Sequence, residues 1–417
     1  MTYNSVIENI LKIRQTNTVK DIWKDRAEVP LFSKKPFNEY ESGEIPREEV
    51  VTLRIDTRGA QARNPFNALM CASTGVGKTR LIKNIIKGFH KQGYRILFFE
   101  PKATEMMNAQ KMGKGKKLAP GDMNESLPIV SYCPNYVRPY IQKNFPAMLN
   151  KVKFYSPDIA KLDYVEIWQS LGVPVKPASM VVEMISDGHA NLDYFESHLP
   201  KMHSATFQAV STAIASLKAS KFFGARGFLN LEEEWDKGNV VVVNYFSRDG
   251  AMMNTDVGLI LDLVRDIGLR ESKKGLDKVT KKLIVFDDAF YYAGMSAAMA
   301  TRGTGNINLA IRNISNCQNN FRTWGVDTMF IVQSPDSNAV VPSLIDGCTT
   351  KFISYVENPW ALQGKLPFNA FRLVSNTNPR EPMLYTDEEH YIFQWLYVQG
   401  KTKWTTGFPF DCTLGHG

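Results

Sequence analysis

The segment from Asn67 to Phe89 sets the tightest limit on how this chain can fold. Ala68-Leu69-Met70-Cys71 is a short apolar run of strand character. Ala72-Ser73-Thr74-Gly75-Val76-Gly77-Lys78-Thr79 is a glycine-containing loop, and Leu81, Ile82, Ile85, Ile86 and Phe89 then share one helical face. Strand, loop and helix in direct succession match the phosphate-binding pattern G-x-x-x-x-G-K-[ST], with Ala72 in its first position. Alone, the octapeptide also fits a plain turn with a solvated lysine; the flanking strand and helix favour the phosphate reading. Gly75 and Gly77 let backbone N–H groups turn inward around a phosphate, and the helix N-terminus adds positive partial charge. Lys78 is expected to reach the β- and γ-phosphates, and Thr79 to ligate Mg2+. The expected ligands are therefore ATP and Mg2+, held by Ser73, Thr74, Gly75, Val76, Gly77, Lys78, Thr79 and Arg80.

Such a loop needs an acidic partner. Leu283-Ile284-Val285-Phe286 is an apolar strand that ends in Asp287-Asp288. Asp287 is expected in the Mg2+ shell, directly or through water, and Asp288 is expected to orient or deprotonate the attacking water. Other apolar runs, Arg95–Glu100, Val240–Tyr245, Thr328–Val332 and Lys351–Tyr355, alternate with helical stretches near 256–270 and 307–322. Val50–Ile55 reads as a further strand, and Ile7 to Ile13 as a short amphipathic helix. Residues 160–225 read as mostly helical, with breaks at Pro174, Pro177 and Pro200. Strands alternating with helices imply an α/β fold: a mostly parallel sheet with helices on both faces.

Composition narrows the class. With 417 residues, 44% of them hydrophobic, the chain can bury a large core. No apolar run reaches the length of a membrane span, and the N-terminus lacks a signal-peptide core. Cys71, Cys133, Cys317, Cys348 and Cys412 are scattered without a C-x-x-C pair, so neither a zinc ribbon nor a disulfide framework is expected. A soluble, reduced, cytoplasmic protein is the expectation. Basic residues outnumber acidic ones by eight, which permits a polyanionic partner without demanding one.

In this order the motifs resemble the HerA–FtsK superfamily of ring-forming P-loop ATPases, over roughly residues 50–360. Asn67 to Phe89 looks like the family's P-loop and first helix. Gly93 to Lys102 is similar to its second strand, and Lys237 to Asn244 to the segment before its Walker B strand, which Leu283 to Asp288 resembles. Arg322-Thr323-Trp324-Gly325-Val326, followed by Phe330-Ile331-Val332-Gln333-Ser334-Pro335, resembles the family's R-x-x-G-[IV]…T-Q-x-P segment. Three positions depart from the pattern: Ala72 for the first Gly, Glu100 for the usual Asp, and Asp288 where most members have Glu.

The resemblance implies a P-loop NTPase (RecA-like) fold and ATP hydrolysis coupled to translocation of double-stranded DNA. It implies that Gln333 senses the nucleotide and that an arginine enters the neighbouring subunit's site. Arg322 aligns best, with Arg302 and Arg312 as rivals. Read alone, Gln333 is a polar strand terminus. Lys111, Lys114, Lys116 and Lys117, in a Gly/Lys loop, are the expected DNA contacts; a solvated surface loop is the competing reading. A homo-oligomeric ring follows, with a hexamer favoured and a pentamer as the alternative. The expected role is genome packaging for a virus or mobile element, with a capsid or portal-like partner and a location in the host cytoplasm or on the virion. The alternative is an ATP-switched assembly or secretion factor that acts on a protein and transports no DNA. The expected organisation is an N-terminal extension over 1–60, an ATPase core over 61–360 with a helical insertion at about 135–235, and a C-terminal extension over 361–417.

Overall fold

The computed structural model describes residues 28–35, 46–55, 65–73, 76–101, 128–198, 204–224, 227–246, 250–293, 308–335, 340–375, 384–387, 390–400 and 402–409. In chain order the strands are β1 (Glu28–Ser33), β2 (Val50–Arg54), β3 (Asn67–Cys71), β4 (Arg95–Glu100), β5 (Ile129–Pro134), β6 (Lys153–Tyr155), β7 (Val240–Asn244), β8 (Lys282–Phe286), β9 (Val326–Val332), β10 (Thr350–Ile353), β11 (Leu384–Asp387), β12 (His390–Phe393), β13 (Trp395–Gln399) and β14 (Lys403–Pro409). Twelve of them form one sheet in the order β2-β1-β14-β13-β10-β3-β9-β8-β4-β7-β5-β6; β11 and β12 pair separately. From β10 to β6 every neighbouring pair is parallel. From β10 outward through β13, β14, β1 and β2 every pair is antiparallel.

The parallel strands are apolar throughout because both faces are covered. Alternation sends Leu69 and Cys71 of β3 to one core, and Ala68 and Met70 to the other. On the second face lies α1 (Lys78–Lys91), which buries Leu81, Ile82, Ile85, Ile86 and Phe89. Those are the helical-face residues expected from the sequence.

Between β6 and β7 come α2 (Val165–Ser170), α3 (Val175–Ser186), α4 (Leu192–His198), α5 (Ser204–Ser220) and α6 (Leu231–Asp236). Trp168, Phe195, Ile214 and Phe222 give this region a core of its own. Then come α7 (Gly250–Lys273), α8 (Phe290–Ala293), α9 (Leu309–Asn319), α10 (Phe321–Trp324) and α11 (Phe368–Ser375). Through Met252, Leu259 and Leu309, α7 and α9 join the helical core to the sheet.

The break expected at Pro177 does not occur. Pro174 caps α3 and Pro177 lies in its first turn, where a missing N–H costs no intrahelical bond. The expected helix at residues 7–13 and the Gly/Lys loop at 111–117 lie outside the described residues. Among the described residues, no helix is long and apolar enough to cross a membrane.

Gly325, between α10 and β9, explains one of the sequence motifs. Its φ is +70°, and a Cβ added there would meet the Thr280 carbonyl oxygen at 2.2 Å. Gly325→Ala is expected to cost about 2–4 kcal/mol, from the left-handed backbone and the forced separation of β9 from the β8 approach. A fall in the urea midpoint at unchanged slope would show it.

Candidate active site

The parallel strands β3, β9, β8, β4 and β7 all end on one edge of the sheet, where ligands of open α/β folds bind. At the end of β3 the loop is stitched into its neighbours. Ala72 N–H donates to the Val332 carbonyl (3.2 Å) and Ser73 N–H to the Tyr355 carbonyl (2.8 Å). Gly77 closes the loop at φ 89°, a left-handed conformation open to glycine, and caps α1 with no side-chain hydrogen bond. The first turn of α1 carries no acid. Its orphan N–H groups and dipole therefore present an unneutralised positive end. The Lys78 ammonium folds back over the loop, donating to the carbonyls of Ala72 (2.6 Å) and Ser73 (2.7 Å). Thr79, Gly77 and Ser73 are half-buried and Val76 is buried. Thr74, Gly75 and the Arg80 side chain lie outside the described residues.

Two strands from β3, β8 delivers the acid pair. Asp287 N–H donates to the Phe99 carbonyl at the end of β4 (3.0 Å), and Ala289 N–H to the Ile331 carbonyl of β9 (2.8 Å). The turn bearing both carboxylates is thus tied to a strand on each side. Asp288 takes φ 42°, and its N–H donates to Asp287 Oδ1 (3.0 Å). Gln333, just past β9, donates its Nε2 to Asp288 Oδ1 at 3.1 Å. Because β9 lies between β3 and β8, this glutamine stands between the lysine loop and the acid pair.

Glu100, at the end of β4, is only 1% exposed and accepts from Asn244 Nδ2 at 2.8 Å. A buried carboxylate needs such donors. Asn244 was not expected from sequence, since it is an ordinary polar strand end. The Tyr355 contact uses a backbone carbonyl, which carries no side-chain signal.

The assembled donor set suits a polyphosphate with a hard divalent cation: a helix N-terminus, an ammonium, a first-turn hydroxyl and facing carboxylates. Arg322 belongs to α10, before the first residue of β9, and so lies at the end of the sheet remote from Lys78. Arg312 pairs with Glu166 of α2 at 3.3 Å. Arg302 and the lysines Lys111, Lys114, Lys116 and Lys117 lie outside the described residues.

The deciding feature is the strand order β10-β3-β9-β8-β4, with the glycine–lysine loop after β3 and the acids after β8. The chain has the P-loop NTPase fold. The resemblance to the HerA–FtsK ATPases, carried by motifs, thus extends to the P-loop architecture. No family model matches the chain, and no curated protein matches it. Among solved structures it is similar to the bacterial conjugative coupling protein TrwBdeltaN70, at 10% identity over 83% of this chain and 85% of that one, with a TM-score of 0.49. VirB4 of Thermoanaerobacter pseudethanolicus aligns at 12% identity over 91% of this P-loop chain and 96% of its own, TM-score 0.48. The genome packaging NTPase B204 of Sulfolobus turreted icosahedral virus 2, in complex with ATP-gammaS, aligns at 8% identity over 82% and 97%, TM-score 0.36.

Proposed function

We propose that this chain is an ATP-hydrolysing motor that moves double-stranded DNA as a ring, and that it serves genome packaging for a virus or mobile element. What carries the ATPase reading is the Asp287–Asp288 turn beyond β9 from the Lys78 loop, with Gln333 bonded to Asp288 from the strand between. A Mg2+ ion held at the site would supply positive charge to offset that of the phosphates. Lys78 would exchange the carbonyls of Ala72 and Ser73 for phosphate oxygens. Thr79 and Asp287 would hold the cation, and Asp288 would take a proton from the attacking water. Gln333 would couple the phosphate to Asp288.

A ring would explain how Arg322 serves catalysis: being remote from its own lysine loop, it would act in the neighbouring subunit's site. A hexamer is preferred to a pentamer. The lysines Lys111, Lys114, Lys116 and Lys117, repeated around one axis, would grip the DNA backbone, and a capsid or portal-like protein would dock the ring. Residues 61–360 would form the ATPase core, with the helical insertion at about 135–235 and further strands supplied from 1–60 and 361–417. The protein would work in the cytoplasm or on the virion.

Phosphate release measured with and without duplex DNA tests this reading. The expected result is a rate several-fold higher with duplex, the stimulation weakening as salt rises. Equal rates with and without DNA of any form would favour an ATP-switched assembly or secretion factor acting on a protein.

A further inference from the structure

Asp256 stands in the second turn of α7 and is wholly buried. One carboxylate oxygen, Oδ2, accepts from two buried hydroxyls: that of Tyr155 at the end of β6, and that of Tyr245 just past β7 (2.9 Å). The other oxygen, Oδ1, is buried and has no hydrogen-bond partner among the described residues. The titratable groups around the carboxyl are tyrosines as well. Tyr292 of α8 places its ring 6.2 Å from that of Tyr245, and Tyr136, after β5, acts electrostatically on Tyr155 and Tyr245. The charges on the surrounding elements pair with one another. Lys153 of β6 pairs with Glu234 of α6 (2.6 Å), Glu166 of α2 with Arg312 of α9 (3.3 Å), and Asp262 and Asp266 of α7 with Arg265 (2.5 and 3.0 Å). A carboxylate that only two hydroxyls offset is costly to charge. Burial pushes the Asp256 carboxyl up to about 7, against the opposite pull of the two hydroxyl bonds.

The same contacts tie three elements together. The strand β6 has three residues at the edge of the sheet, and Tyr155 is its last. On α7, Met252 and Leu259 flank Asp256 and pack into the helical core. We propose that Asp256, Tyr155 and Tyr245 form a proton-gated latch between the sheet and α7, closed while the carboxyl is protonated and loosened when its proton passes to solvent. The charged form leaves Oδ1 without a donor, and water reaches that oxygen only if β6 or the start of α7 moves. β6, paired on one side only, is the part that gives. An unfolded aspartate loses its proton near pH 3.8, and this folded one near about 7. The stability supplied by the protonated latch is therefore full below about pH 4, falls as pH rises, and is gone above about pH 7.

The test compares the full wild-type chain with Asp256→Asn, which keeps an oxygen for both hydroxyls and cannot ionise. Urea midpoints and amide hydrogen exchange are measured at about pH 5 and about pH 8. The wild-type midpoint is expected to fall relative to that of the variant between the two. Exchange at residues 153–156 and 250–258 is expected to be several-fold faster in the wild type than in the variant at the higher pH alone. Tyr245→Phe removes a donor that favours the charged form, and is expected to shift the wild-type transition to higher pH. A midpoint gap that is the same at both pH values overturns the proposal, and so does an exchange difference spread equally over all strands. If Asp256→Asn does not fold, the wild type decides alone: exchange at 153–156, taken relative to that of β8, must rise between the two pH values, and a constant ratio overturns the latch.

Discussion

Lys78→Ala is expected to lower kcat for ATP by on the order of 10²–10³, while the protein remains folded. The side chain sits in the first turn of α1, and its described hydrogen bonds run to the loop carbonyls of Ala72 and Ser73. Alanine is the better helix former at that position, so the helix itself does not suffer. What disappears is the one charge the first helical position aims over the loop. Developing negative charge on the phosphate oxygens then loses the ammonium and keeps only the N–H dipoles and the other cationic groups of the proposed site. Lys78→Arg is expected to restore little. A planar guanidinium is wider than an ammonium and cannot take the same carbonyl-lined position. Phosphate release beside a thermal melt decides the matter. A variant within threefold of the wild-type rate would remove Lys78 from the chemistry.

The parts of the fold that were legible in sequence are those whose signal is local. Strands β3, β4, β7, β8, β9 and β10 are buried on both faces, so each appears as an apolar run flanked by turn residues. The strands that went unread owe their form to distant partners. Pro30 makes β1 look like loop, yet β1 lies between β2 and β14, and its register with β2 shifts between Pro30 and Phe32. Lys153–Tyr155 is too short to carry a period and is a strand because Tyr132, Cys133 and Pro134 pair with it. The strands β13 and β14 lie in the expected C-terminal extension, yet they continue the sheet from β10. Pairing with a strand elsewhere in the chain leaves no trace in either segment alone.

The candidate site divides in the same way. The loop and the acid pair each occupy contiguous residues, and their residue types state their chemistry. The bonds between them do not. Nothing in Val332-Gln333-Ser334 shows that Gln333 reaches Asp288, because that contact depends on β9 being the strand beside β8. The Asn244–Glu100 pair likewise follows from the β4–β7 register.

Asp288→Asn is expected to reduce kcat by about 10²–10⁴ with ATP binding retained, because in the proposed mechanism it removes the general base and little else. The backbone explains why this variant is clean. Asp288 lies at φ 42°, a region that Asp and Asn enter far more readily than most residues. Asparagine keeps the turn and can still accept a hydrogen bond from Gln333 through its amide oxygen. Glutamate, the residue most relatives are expected to carry here, pays more for that conformation and also moves its carboxylate outward by one methylene. Asp288→Glu is therefore a test of reach, and Asp288→Asn a test of charge. Asp287→Asn separates the two acids. Its Oδ1 accepts the Asp288 N–H, a bond an amide oxygen can keep, so what Asp287→Asn removes is the charge proposed to hold the cation, and the variant is expected to need more Mg2+ as well as to turn over more slowly. Titrating Mg2+ against the rate of each variant distinguishes them. If Asp288→Asn keeps its rate within tenfold of the wild type while Asp287→Asn does not, the base is not Asp288. The left-handed turn would then serve to aim Asp287 alone.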